Sequence, residues 1–194
     1  MKKIVLAMVL SACLSGVTEA RFIPEKNQPA VAGGITLGQD SLIGFSVSPG
    51  FGITDRFMIA LAAGTASSKS GAITNSQVNY GLLGIGKYDI TNDWSLSGRY
   101  DLNFGKAKAA TSSGSIEKDF SGYSLAAAAQ YQVTPELMPW ISQNWVSTTV
   151  SGASAVNESY VTFGFNWTIN KNFDAEVLVK SDLKQYGIGG TSYF

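Results

Sequence analysis

From Trp94 onward the chain alternates. Trp94, Leu96, Gly98, Tyr100, Leu102 and Phe104 take the even positions, and Ser95, Ser97, Arg99, Asp101 and Asn103 the odd ones. A period of two places each set on one face of a β-strand. The same period runs through 160–169, where Val161, Phe163, Phe165, Trp167 and Ile169 oppose Tyr160, Thr162, Gly164, Asn166 and Thr168. It recurs in 120–133, with Tyr123, Leu125 and Tyr131 against Ser124, Gln130 and Gln132, and in 173–182, with Phe173, Ala175, Val177 and Val179 against Asp174, Glu176, Leu178, Lys180 and Asp182. One face of each strand meets something oily, which is either a protein core or a membrane.

A short repeat locates the turns. Four segments align: FGITDRF (51–57), YDITNDW (88–94), YQVTPEL (131–137) and WTINKNF (167–173). Each reads aromatic, any residue, Ile or Val, Thr or Asn, two polar residues, then Phe, Trp or Leu. That is a strand end, a polar turn of three residues and a strand start. Between these turns lie stretches rich in Ser, Gly, Ala and Thr at 67–76, 107–119 and 151–159, which are expected to be solvent-facing loops. Shorter connections are expected near Gln39–Asp40–Ser41 and over 181–185. The sum is ten strands over 31–194, or eight if the first hairpin does not span. With three-residue turns, Thr168 faces Asp174, Asn166 faces Glu176 and Thr162 faces Lys180. The stretch 137–150 breaks the pattern: Leu137, Pro139 and Ile141 continue the oily face, but Gln143 would then join it. A bulge near Ser142–Gln143 would restore the register, and Trp140 and Trp145 receive no face.

Two features select the membrane over a soluble barrel or sandwich. Phe51, Tyr88, Tyr131 and Trp167 each precede a turn by three positions, and Phe57, Trp94 and Phe173 directly follow one. On a closed barrel they form a ring at one height, an interfacial aromatic girdle. Opposite the oily face stand very small residues, among them Gly34, Ser46, Ser48, Gly50, Ala60, Ala62, Ala126 and Ala128. A soluble surface would carry Lys and Glu there, whereas a crowded barrel interior needs small side chains. Composition agrees: of 194 residues only 14% are charged, 21 are glycine and 11% are aromatic. Fourteen basic and fourteen acidic residues cancel, so nothing points to nucleic acid. The first twenty residues, MKKIVLAMVLSACLSGVTEA, read as an export signal cleaved after Ala20. The competing reading is a lipobox at Leu10–Cys13, with Cys13 lipid-modified. Residues 21–30 are then a periplasmic lead-in.

With this combination, a signal peptide, alternating strands, a repeated turn and a terminal aromatic in GIGGTSYF, the chain resembles small bacterial outer-membrane barrels of the OmpX, OmpW and opacity-protein kind. The resemblance implies an all-β, closed, antiparallel up-and-down transmembrane barrel in the outer membrane. It also implies that Phe194, with Ile188 and Tyr186 at alternate positions, signals to the barrel-assembly machinery. Gly190 and Ser192 depart from that signal. Other partners expected are outer-membrane lipid and lipopolysaccharide, with the chain acting as a monomer.

The sequence contains no histidine. Ser-His-Asp and Cys-His nucleophilic catalysis and histidine-based zinc sites are therefore excluded, and enzymatic outer-membrane barrels resemble one another in relying on a histidine base. No catalytic residue, metal site or cofactor is expected. By parity Lys87, Asp89, Arg99, Asp101, Asp174, Glu176, Lys180 and Asp182 point into the lumen. Two readings of them stay open: a salt-bridged plug, or a thin, mildly cation-preferring pore. The function expected is envelope-structural or porin-like. A surface adhesion or resistance protein binding through its loops is the alternative, weakened because those loops hold no aromatics.

Overall fold

The computed structural model describes residues 24–181 and 183–194. The export signal, Cys13 and the inward placement of Asp182 lie outside the described residues. Ten strands follow one another: β1 (Pro29–Gly38), β2 (Leu42–Thr54), β3 (Phe57–Ser70), β4 (Ile73–Asp89), β5 (Trp94–Thr111), β6 (Gly114–Tyr131), β7 (Leu137–Val150), β8 (Val156–Asn170), β9 (Phe173–Lys180) and β10 (Gln185–Tyr193). Each pairs antiparallel with the next, and β1 pairs with β10 from Ala30↔Tyr193 to Gly38↔Gln185. The sheet closes on itself and leaves no edge. The first hairpin is part of the wall, so the barrel has ten strands and not eight.

The four repeated segments are the four turns at one end, and their shared Thr or Asn has a definite task. Thr91 Oγ1 accepts hydrogen bonds from the backbone N–H groups of Asp93 (3.2 Å) and Trp94 (3.0 Å). Thr134 Oγ1 does the same for Glu136 (3.3 Å) and Leu137 (3.1 Å). Thr54 Oγ1 accepts from Arg56 N (3.2 Å), and Asn170 Oδ1 from Asn172 N (2.9 Å). Short polar side chains stabilise tight turns in this way. After Asn170 the turn is tighter than three residues: Asn170 pairs with Phe173, and a bulge precedes that pair. The bulge absorbs the difference, so Thr168, Asn166 and Thr162 still pair with Asp174, Glu176 and Lys180.

At the other end the expected loops are mostly strand. The connections shrink to 71–72, 112–113 and 151–155, and pairing continues through Lys69↔Thr74 and Lys108↔Glu117. The reason is that small residues such as Ala, Ser and Thr pair readily when both arms of a hairpin are already in register. Gly71, at φ +60°, supplies the left-handed residue of one such turn. The result is an uneven rim. β5 and β6 are 18 residues long, whereas β9 is 8 and β10 is 9, so β3 to β6 rise as a wall above the rest.

The expected bulge in β7 is absent. Its pairing with β6 and β8 runs without a register shift. Gln143 therefore stands on the outer face, its Nε2 donating to the Asn144 and Tyr160 carbonyls at 3.3 and 3.5 Å. A local backbone bond costs less than breaking two ladders. Trp140 points inward and is buried, and Trp145 points outward.

A candidate functional site in the lumen

Parity sends the oily face outward. Val31, Phe45, Leu61, Leu82, Leu96, Tyr100, Phe165, Val177 and Ile188 are all exposed, and a soluble protein would not present so much contiguous apolar surface. Of the aromatics expected to form a girdle, Phe51, Phe57, Tyr88, Trp94, Tyr131 and Trp167 are exposed near the capped turns, with the Trp94 and Tyr131 rings 4.8 Å apart. Phe173 is half-buried. Phe194 is exposed, its N–H bonded to the Pro29 carbonyl at 3.0 Å, where the last strand meets the first.

Part of the inner face is closely packed, while Ser46, Ser48, Ala62 and Ala126 on it are half-buried. Arg99 Nε donates to Asp101 Oδ1 at 2.9 Å, and the pair is only 7% and 5% exposed. Ser124 Oγ donates to Asp101 Oδ2 at 2.6 Å, spending the carboxylate's second oxygen. Tyr193 donates its hydroxyl to Asp174 Oδ2 at 2.9 Å. Lys180 is fully buried, with its ammonium 5.3 Å from the Tyr160 ring centroid, a cation–π contact that partly replaces lost hydration. Glu176 is 1% exposed, and Asn166 and Thr162 are 0%. Between these lie neutral links: Gln130 joins Ser95 and Ser97, and Asn144 Nδ2 donates to Ser142 and Thr162.

Seven of the eight inward charges can thus be located, and they do not form one group. Arg99, Asp101, Asp174, Glu176 and Lys180 are buried in the lumen. Lys87 and Asp89 pair at 2.9 Å on the rim, 28% and 44% exposed. They sit at the end of β4, where the wall stops and water reaches them.

Sequence periodicity placed Leu178 and Ala60 on the inner face but missed most of the apolar part of the lumen. Met138, Trp140 and Leu178 pack together inside, and Met58, Ala60, Leu83 and Ile85 form a second cluster. The signal was weak because β4 reads Leu82-Leu83 and β7 reads Met138-Pro139-Trp140, apolar on both faces. Two glycines make room. A Cβ on Gly164 would collide with the Trp140 ring, and one on Gly187 would lie 2.9 Å from Leu178 Cγ. The lead-in packs against the end of β2: Pro24 is buried, Asn27 N donates to the Gly52 carbonyl at 2.9 Å, and a Cβ on Gly52 would strike the Glu25 carbonyl.

Buried polar atoms without a protein partner remain. They include Asn75 Oδ1, both amide atoms of Gln77, Asp174 Oδ1, Gln185 Oε1 and Thr191 Oγ1. Such groups cost about 1–3 kcal/mol each unless water reaches them, and a site for one water is small.

Comparisons with known proteins bear on this geometry. The family model of the oligogalacturonate-specific porin protein (KdgM) matches residues 39–181. No curated protein matches the chain. Among solved structures, the transport unit of the autotransporter AIDA-I from Escherichia coli is 13% identical, with 97% of this chain and 96% of that one covered at a TM-score of 0.54. The translocator domain of NalP from Neisseria meningitidis is 10% identical, covering 100% and 94% at 0.53. A KdgM porin structure is 12% identical, covering 85% and 99% at 0.46. The likeness to the two autotransporter structures shows the fold alone, a closed β-barrel.

Proposed function

We propose that this chain, which belongs to the KdgM family of oligogalacturonate-specific porins, is a non-enzymatic outer-membrane barrel whose lumen passes water and small ions at most, and no oligosaccharide. The observation that carries this is the burial of the inward side chains. A sugar-sized channel would leave its lining accessible, yet Lys180, Glu176, Asn166 and Thr162 are closed even to water-sized access. The apolar clusters of Trp140 and Met58 add a barrier that disfavours ions by dewetting.

Charge argues in the same direction. Among the described residues the closed lumen holds Asp101, Asp174 and Glu176 against Arg99 and Lys180. That balance offers no basic track to a polymer of acidic sugars. Absence of histidine removes the usual general base, which supports a role without catalysis. The far connections 39–41, 71–72, 112–113 and 151–155 hold no aromatic residue, which gives an adhesion role little to anchor on. On this reading residues 1–20 are removed on export, the assembly machinery reads the strand ending at Phe194, and the barrel works as a monomer with the capped turns facing the periplasm.

Swelling of proteoliposomes tests the proposal. Vesicles carrying the folded barrel should not swell in short oligogalacturonates or neutral trisaccharides. Swelling in oligogalacturonate at a rate above protein-free vesicles would overturn it.

A further inference from the structure

We propose that the outer face of the raised wall is a binding site for the phosphorylated sugar headgroup of the outer leaflet's glycolipid, with Lys106 and Lys108 as its phosphate ligands. The inference rests on the orientation of the barrel given above. On β5 the outward residues run from Trp94 to Phe104 without a charge, and then switch to Lys106 and Lys108. Ten residues of rise at about 3.3 Å each, tilted by about 40°, span about 25 Å, the height of an outer-membrane apolar band. Phe104 and its neighbour Tyr80, with ring centroids 6.4 Å apart, form the upper aromatic edge of that band. Lys106 therefore sits one pleat above the hydrocarbon, at the depth of lipid phosphates.

On β6 the outward face turns charged at the same level, with Asp119 and Glu117 beside the two lysines, while β4 keeps Val78 beside Lys106 and turns polar only at Ser76. Lys106 pairs with Val78 and Asp119, and Lys108 with Ser76 and Glu117. A cleft of about 380 Å³ opens there, lined by Ser76, Tyr80, Lys106, Lys108 and Glu117. Two ammonium groups, a serine hydroxyl and a phenol suit a phosphate on a sugar, and the acid can accept from sugar hydroxyls. Lys106 and Glu117 approach to 3.3 Å but are 65% and 52% exposed. An exposed pair of that kind is worth little, so a lipid phosphate can compete for the ammonium. At 18 residues β5 is longer than the roughly ten that the band requires; its added height brings these lysines into the headgroup layer.

The test uses the full mature barrel folded into phosphatidylcholine vesicles with or without lipid A. Folding is checked first by heat-modifiable gel mobility; failure to fold in both would sink the membrane reading itself, and this inference with it. Lipid A should raise the thermal-unfolding midpoint of the wild type, and the affinity read from that titration should fall on the order of tenfold in Lys106→Glu/Lys108→Glu. Lys106→Gln/Lys108→Gln should fall part of the way, and Lys171→Glu, at the opposite end, should keep the full response. Inorganic phosphate in place of lipid A should give no shift. An unchanged response in both double variants, no response in the wild type, or an equal response to free phosphate would each overturn the proposal.

Discussion

Thr54, Thr91, Thr134 and Asn170 occupy one position of a repeat and accept the same kind of backbone bond at four turns. Losing two such bonds at once should cost about 1–2 kcal/mol. Thr91→Val should lower the urea midpoint of the folded, heat-modifiable form by that amount, and Thr91→Ser should restore most of it. Equal midpoints for all three proteins would deny the turn its cap. Inside the barrel, Gly164→Val forces a side chain into the Trp140 ring and should destabilise by about 1–3 kcal/mol, measured the same way; a neutral result would show that Trp140 can move aside. Much at this scale was legible beforehand. The pairing of Asp174, Glu176 and Lys180 with Thr168, Asn166 and Thr162 follows from an assumed three-residue turn, and it holds because the bulge before Asn170 offsets the tighter turn. Trp140 was not legible, because Met138, Pro139 and Trp140 are apolar in succession and period two has nothing to distinguish.

At the scale of elements, alternation decides everything that the band touches. Leu125 pairs with Tyr100 near the middle of the outward band, while the next residue inward, Ser124, bonds to Asp101. Leu125→Arg should cost about 2–4 kcal/mol, as charge on the lipid face near the midplane does, and should reduce the folded fraction in vesicles. Ser124→Ala should cost only about 1 kcal/mol. A reversed order would mean that the faces are assigned the wrong way round. The extended hairpins escaped sequence reading because 107–119 and 67–76 have the composition of loops. Pairing of strands already in register, not residue preference, carries them on. Gln143 escaped for the opposite reason: a polar residue on the oily face suggests a bulge, but its amide reaches backbone carbonyls and the ladder stays intact.

The whole molecule is a family member with a narrow bore. Ten strands enclose little more than the eight whose interior side chains just fill, and here the inward face carries Trp140, Tyr160, Phe120, Tyr193 and Arg99. Closure of the sheet and its alternation were readable from the sequence. The choice between plug and pore was not, because it depends on how inward side chains from different strands meet across the lumen. Planar-bilayer conductance of the refolded barrel addresses that choice most directly, with Trp140→Ala beside the wild type. The wild type should be nearly silent and indifferent to added oligogalacturonate, and the variant should open small, cation-preferring steps. Large steps in the wild type that oligogalacturonate blocks would contradict the closed lumen.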